Sequence, residues 1–562
     1  MKTIRFSLIM LSALAMITIF TVSCGNKADS AFGAANVLKR VPSDAAVVAV
    51  MNVGQMMNKL NYADFKKTDM FKDLLKQANQ EDLKKILENP EASGIAMNGQ
   101  FCMFADNIKS QNDFRIGFIM PVKNIKDLEA LFEKAAKGSG DSPFKKIETA
   151  KDYKFIKGNN DNSNFSLGWN KDILVFIVNT SPEAKESLEN IFSLKKDKSI
   201  LSNKSFKAEK AEKHDVMLWV QSDPIIKTLK EDKSIARSLK MISFLGLTEE
   251  SLNGNTMALY YDFNKGDMQA GLSYNMNKDI AKEYGIIFKK KMDTDFSAYF
   301  PKKNLSVMTM LGLDIKGIKE VLKNRGFDGT AESFLKEANI SLDDIQKGFS
   351  GEIALASYID PTAKDAAKDQ KVVVAIAFNN STFLDKLLES SKSMGGGEIK
   401  KQGSRYMSPT AKDVQGIVKN NVFVISNDLT IIDQIEKGGF KGNEAIEKSA
   451  YADMNKGWMS VHVDYTQLFA SLGGMSLGRN GILNTNELMK ILSKYDELES
   501  ANAVVSTEEA KVIVNLKNKD QNSLKVLSQI MNKLYLDRDK IQEQMEKDVR
   551  KEEEDVEVDQ SL

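Results

Sequence analysis

Cysteine, histidine, tryptophan and arginine are all scarce in this chain of 562 residues. Each scarcity excludes or disfavours a class of function. Two Cys, at positions 24 and 102, exclude a disulfide framework and a Cys-rich metal site. Two His, at 214 and 462, with no His-x-x-x-His or Cys-x-x-Cys spacing, leave zinc without an evident site. Only nine residues are Arg, the side chain best suited to bidentate phosphate or carboxylate recognition, which disfavours a polyanion receptor. A net charge of +1, from 78 basic and 77 acidic residues, gives no bulk attraction to nucleic acid. Trp169, Trp219 and Trp458 sit in strand-like runs or at their edges, where core packing accounts for them better than a sugar-stacking platform. Walker-type and Gly-x-Gly-x-x-Gly loops are absent, and Gly395-Gly396-Gly397 follows a helical run and reads as a turn. The sequence predicts neither metal nor cofactor.

What is present begins with an export signal. Lys2 and Arg5 precede an apolar run from Phe6 to Val22, which ends at Thr21-Val22-Ser23-Cys24. Small residues before a cysteine resemble a bacterial lipobox, with Thr21 standing where Leu is usual. In such signals cleavage precedes the cysteine, whose thiol then carries a diacylglycerol. The reading is a signal peptide over 1–23, Cys24 as the lipidated (palmitate-bearing) residue, and a tether over 24–37. The competing reading, an uncleaved anchor, is weakened by a run at the lower edge of the roughly 17–25 residues that span a bilayer. It is weakened further by the polar Gly25-Asn26-Lys27-Ala28-Asp29 that follows. Either way, the bulk of the chain is expected outside the cytoplasm. The expected address is the bacterial cell envelope, at the outer membrane facing the periplasm. Surface exposure is the alternative.

The rest of the chain is written twice. Val41-Pro42 and the strand-like Val47 to Val50 return as Phe300-Pro301 and Ser306 to Thr309. Gly99 to Phe104 returns as Gly351 to Ala356, Ile116 to Met120 as Val372 to Ile376, and Ile173 to Val178 as Val422 to Asn427. Met217 to Val220 returns as Met459 to His462, and Asn277-Lys278-Asp279 as Asn518-Lys519-Asp520. A terminal helix is expected to close each copy. The strands are short, rich in Val, Ile, Phe and Met, and bounded by Asn, Asp and Gly. Tyr260 to Leu272 reads as two strands joined by an Asn-Lys-Gly-Asp turn. Leu128, Leu131 and Phe132 carry helical spacing. The predicted fold class is α+β: two tandem homologous domains, each a largely antiparallel sheet with helices packed on one face. Their expected bounds are 38–295 and 296–536, followed by a charged, disordered tail over 537–562.

Each candidate site is weighed against the repeat. Gly474-Met475-Ser476-Leu477-Gly478 matches Gly-x-Ser-x-Gly, but a helix-like run precedes it, no His follows it, and the first copy lacks it. Ser476 to Glu487 grazes a calcium loop, with Asn480, Gly481 and Glu487 in place, but Ser476 and Gly478 stand where hard oxygen ligands are needed. His462 alternates with Val461 and Val463 and reads as a satisfied, half-buried imidazole. Cys102 aligns with Ala354, which means packing. Ser476, Glu487 and His462 therefore remain only weak candidates. No catalytic residue is assigned, and the balance is against an enzyme.

The lipobox at Cys24, the Val-Pro-Ser-Asp-Ala-Ala-Val-Val-Ala-Val run at 41–50, two long colinear copies and a charged tail resemble a Bacteroidota lipoprotein family of unknown function (domain-of-unknown-function family 4836). The resemblance runs from the signal to about Leu536. It implies an envelope location and brings no activity and no functional residues. The expected function is a lipid-anchored, non-catalytic binding or scaffolding protein. Its expected partners are the membrane, through the lipid, and an unknown envelope protein or small ligand, with no nucleic acid. The alternatives are a nutrient-binding lipoprotein with a cleft between the repeats and an envelope hydrolase with a carboxylate or Ser site that no local motif reveals.

Overall fold

The computed structural model describes residues 35–78, 81–110, 113–137, 147–160, 163–179, 184–231, 253–289, 291–360, 369–380, 382–393, 399–408, 413–446, 451, 453–467 and 496–538. Cys24, Ser476 and Glu487, with the motifs around them and the acidic tail, lie outside these residues. Two units are distinguished. Of the described residues, one comprises those up to Asn277 together with Lys519–Leu536; the other comprises those from Lys278 to Asn518 with Asp537 and Arg538.

Among the described residues the first unit carries ten strands: β1 (Val47–Asn52), β2 (Gln100–Ser110), β3 (Asp113–Pro121), β4 (Glu148–Thr149), β5 (Lys154–Asn160), β6 (Ser163–Trp169), β7 (Ile173–Asn179), β8 (Val216–Gln221), β9 (Thr256–Phe263) and β10 (Asp267–Asn275). Their pairings are antiparallel and run β4-β5-β6-β7-β3-β2-β1-β8-β9-β10. The second unit has β11 (Leu305–Gly312), β12 (Phe349–Tyr358), β13 (Lys371–Phe378), β14 (Lys400–Gln402), β15 (Arg405–Met407), β16 (Gln415–Lys419), β17 (Val422–Ser426), β18 (Met459–Asp464), β19 (Leu498–Val505) and β20 (Glu509–Leu516). Their order is β14-β15-β16-β17-β13-β12-β11-β18-β19-β20. Adding ten to every strand number of the first order gives the second.

Both faces of each sheet are covered, whereas helices on one face were expected. Strands such as Ile173–Asn179 and Lys371–Phe378 are apolar at both parities, the pattern of a strand buried on two sides. In the first unit Val48, Val50, Cys102, Phe104, Val175, Ile177, Met217 and Trp219 form one core, closed by Leu188, Ile191 and Phe192 of the helix Ala184–Phe192. Residues of opposite parity (Phe101, Met120, Leu167, Trp169 and Leu174) form a second core under the helices Val53–Leu60, Tyr62–Phe65 and Asp69–Gln77. The second unit repeats this. Met308, Met310, Ala354 and Val424 lie under Ile431, Ile432 and Ile435 of the helix Leu429–Glu436. Phe378, Tyr406 and Phe423 pack with Phe383 and Leu384 of the helix Thr382–Ser393. Burying each of these large apolar side chains contributes about 2 kcal/mol before chain entropy is subtracted.

Local chemistry sets the helix starts. Thr68, Asp314 and Asp428 cap their helices through side-chain oxygens, and Ser341 with Asp344 forms a reciprocal capping box. Among the described residues no helix is long and apolar enough to cross a membrane.

Two expectations differ from what is found. The units divide after Asn277 and after Asn518, not at 295/296, and 519–536 sits with the first unit. The helix after each Asn-Lys-Asp triplet therefore leaves the ten strands that precede it in sequence. The second difference is one of register. Val48 lies between Phe104 and Trp219, and Met308 between Ala356 and His462, so Val48 corresponds to Met308, one residue from the expected Val307, and His462 to Trp219, one residue from the expected Val220. One residue along a strand changes the face. Met217 and Ser460, not Met217 and Met459, are the matching buried positions.

Candidate functional site

A row of polar side chains caps the first core of the first unit. Gln100 on β2 faces Asn52 on β1. Asp215, just before β8, accepts no side-chain bond from Asn52, but its carbonyl takes the Asn52 N–H at 2.8 Å. Asp262 on β9 accepts the Asp215 N–H at 3.1 Å. Asn52, Gln100, Asp215 and Asp262 share strand parity with Val50, Cys102, Met217 and Tyr260, so alternation sends them to the face of that core.

The charges in this row are held closely. Asp215 is fully buried, and its Oδ2 accepts from Lys59 Nζ at 2.5 Å and from the Phe263 N–H at 2.7 Å. Lys59 comes from the helix Val53–Leu60, which begins directly where β1 ends. His214 places Nδ1 2.9 Å from Asp262 Oδ2 and stacks its ring on Tyr260 at 4.2 Å. Asn52 Nδ2 donates to the carbonyls of Ala211 (3.0 Å) and His214, and Gln100 Nε2 donates to Asn52 Oδ1. Two buried acceptors are left over, Asp215 Oδ1 and Gln100 Oε1.

This arrangement fixes one imidazole tautomer, because a carboxylate at Nδ1 makes that nitrogen the donor. A base of this kind serves catalysis when a nucleophile stands beside it. His214 pairs with Asp262 and stacks on Tyr260, neither of them a Ser, Thr or Cys. The described residues also contain no group of three or more His, Cys, Asp or Glu able to hold a metal ion.

The same row in the second unit is built differently. Glu352 stands where Gln100 does, facing Gly312. It is fully buried; its Oε1 accepts from Lys289 Nζ (3.0 Å) and the Asp293 N–H (2.6 Å), and its Oε2 accepts from the Thr294 N–H (3.0 Å). Burial works to lower the Lys289 pKa, but bonding to Glu352 and Asp293 outweighs it and raises the value. This carboxylate is saturated and serves as a clasp on the 293–294 turn.

His462 lies on β18 with Nδ1 2.6 Å from Asn502 Oδ1, half-buried. Cys102 is buried, and burial pushes its thiol pKa far up, the opposite of a reactive thiolate. The row itself was missed by sequence reasoning. Its members lie far apart in sequence, and the available signal was weak: polar residues ending apolar strands, as in His214-Asp215 before Val216 and Asp262 after Tyr261.

Comparison with known proteins brings little chemistry. No curated protein matches the chain. Two crystal forms of TP0453 align at 12% identity, over 46% of this chain and 90% and 89% of theirs, with TM-scores of 0.24 and 0.23. The family model described as Domain of unknown function (DUF4836) matches residues 36–524, and the chain belongs to that family.

Proposed function

We propose that this chain is a lipid-anchored, non-catalytic protein of the bacterial envelope, built from two copies of one ten-stranded domain and held at the membrane through Cys24. The observation that carries the reading is the identical strand order of the two units beside unlike residues at the same row. Gln100, Asn52, Asp215 and Asp262 stand in one, and Glu352, Gly312, Trp458 and Ser506 in the other. What the copies share is fold, which suits presentation of surface to an envelope partner more than a duplicated reaction centre.

Palmitate labelling tests the anchor. Wild type takes up label and fractionates with membranes, while Cys24→Ala does neither; equal labelling removes the lipid-anchored reading. A deletion strain complemented with His214→Ala or Asp262→Asn tests the second half. Full complementation by a folded variant supports binding, and its loss in a folded variant points to chemistry at the row.

A further inference from the structure

The segment 519–536 follows the last strand of the second unit, yet its bonds are to the first. Its start is stitched to the β9–β10 turn. Gly266 N–H donates to the Gln521 carbonyl at 2.9 Å, Ser523 N–H to the Asn264 carbonyl at 2.8 Å, and Asn522 Nδ2 to the Phe263 carbonyl at 3.1 Å. Gly266 has φ of 79°, and a Cβ there would press on the Lys519 backbone at 3.0 Å, so this turn is shaped for the segment. Helical residues from 523 onward then cross two helices. Lys525 Nζ pairs with Asp64 Oδ2 at 2.8 Å, and Tyr535 Oη donates to Asp73 Oδ2 at 2.8 Å. Asn532 Oδ1 accepts the Met70 N–H at 3.0 Å. That N–H belongs to the first turn of the helix Asp69–Gln77, where the helix itself offers no acceptor. Thr68 caps Phe71 there, and Asn532 supplies the acceptor for its neighbour. Leu524, like Leu74 and Leu75, packs against the core that contains Phe71, and Val526 is buried.

We infer that the first unit carries a helix-docking site, made by the β9–β10 turn and the helices Tyr62–Phe65 and Asp69–Gln77, whose occupant is residues 519–536 of the same chain, and that the first unit's fold depends on this clasp. The second unit has the corresponding helix from the other repeat. Lys278–Ile287 follows β10, yet it packs on the helix Ile315–Asn324, with Glu283 paired to Arg325 and the Ile287 carbonyl accepting from Asp314 N–H at 2.7 Å. Each repeat thus ends in a helix that completes the other unit. The Asn-Lys-Asp triplet marks both points of departure.

Hydrogen–deuterium exchange on the full chain tests the clasp. In Asn522→Ala/Lys525→Glu, amides in 62–77 and 256–275 exchange about tenfold faster, while those in 498–516 keep wild-type protection. Tyr535→Phe, which removes one hydroxyl bond, shows the same pattern at smaller amplitude and guards against a double variant that does not fold. Faster exchange at 498–516 with 62–77 unchanged overturns the inference, because the segment would then belong with the strands that precede it. A wild-type chain that is dimeric, with cross-links from 519–536 to 62–77 only between chains, overturns the same-chain assignment.

Discussion

Lys59 Nζ lies 2.5 Å from the Oδ2 of Asp215, a fully buried carboxylate, and Lys59 keeps partial contact with solvent. Lys59→Met leaves that carboxylate with the Phe263 N–H alone. The expected loss is about 2 kcal/mol, below the cost of breaking a fully buried pair because Lys59 is partly solvated. Asp215→Asn keeps an acceptor for Phe263 and should cost less. Urea midpoints of the two variants check the order; a larger loss in Asp215→Asn would count against it.

Asp106 and Arg115 form a two-pronged pair across β2 and β3, with Arg115 Nε at 2.6 Å from Asp106 Oδ1. Burial raises the Asp106 pKa above 3.8, and Arg115 only partly opposes it. A raised acid takes up its proton in the folded state first. Its contribution to stability is therefore best below 3.8 and is lost as pH rises through the folded value. Arg115→Met should move the Asp106 titration higher still, read from carboxyl carbon chemical shifts. A downward move would refute the assignment.

Asp344 behaves in the opposite sense. Lys386 at 2.6 Å, then the Ser341 hydroxyl and N–H, hold its pKa at about 2. Its stabilising contribution is present above 3.8 and lost as pH falls toward 2. Lys386→Ala should bring the titration back toward 3.8. Ser341→Ala, which removes the capping box as well, should lower stability by about 1 kcal/mol.

Cys102 should resist iodoacetamide in the native protein and react once unfolded, because burial disfavours its thiolate. Intact-mass measurement on Cys24→Ala isolates this thiol. Rapid native labelling would mean that β2 opens locally.

Gly317 sits in the helix Ile315–Asn324, where a Cβ would run into the Ile286 carbonyl. Gly317→Ala should cost about 2–3 kcal/mol despite its gain in helix propensity. Gly329→Ala, with open space around it, should be neutral or stabilising in the same melting assay.

The strands were largely legible because short apolar runs between Asn, Asp and Gly carry their own punctuation, and Cys102 and Ala354 do occupy matching strand positions. The register of β18 was misread because Met217 and Met459 are alike in type while only Met217 faces the core. The polar row was hidden for another reason. Gln100, Asn52, Asp215 and Asp262 come together only after four strands pair, and nothing local in the sequence announces such a meeting. The destination of the closing helices was hidden likewise, since an amphipathic pattern states that a face will be buried and not against which partner.

The placement of 519–536 also sets an order of events in synthesis. A ribosome or a translocation channel delivers β1 to β10 long before it delivers Asn522 and Asn532. Throughout the making of residues 278–518, the first unit waits with the Met70 N–H uncapped and its groove unfilled. A chain stalled or trimmed before 519 would therefore display the defect in the half made first, offering proteases the segment 62–77 at the opposite end of the polypeptide from the lesion.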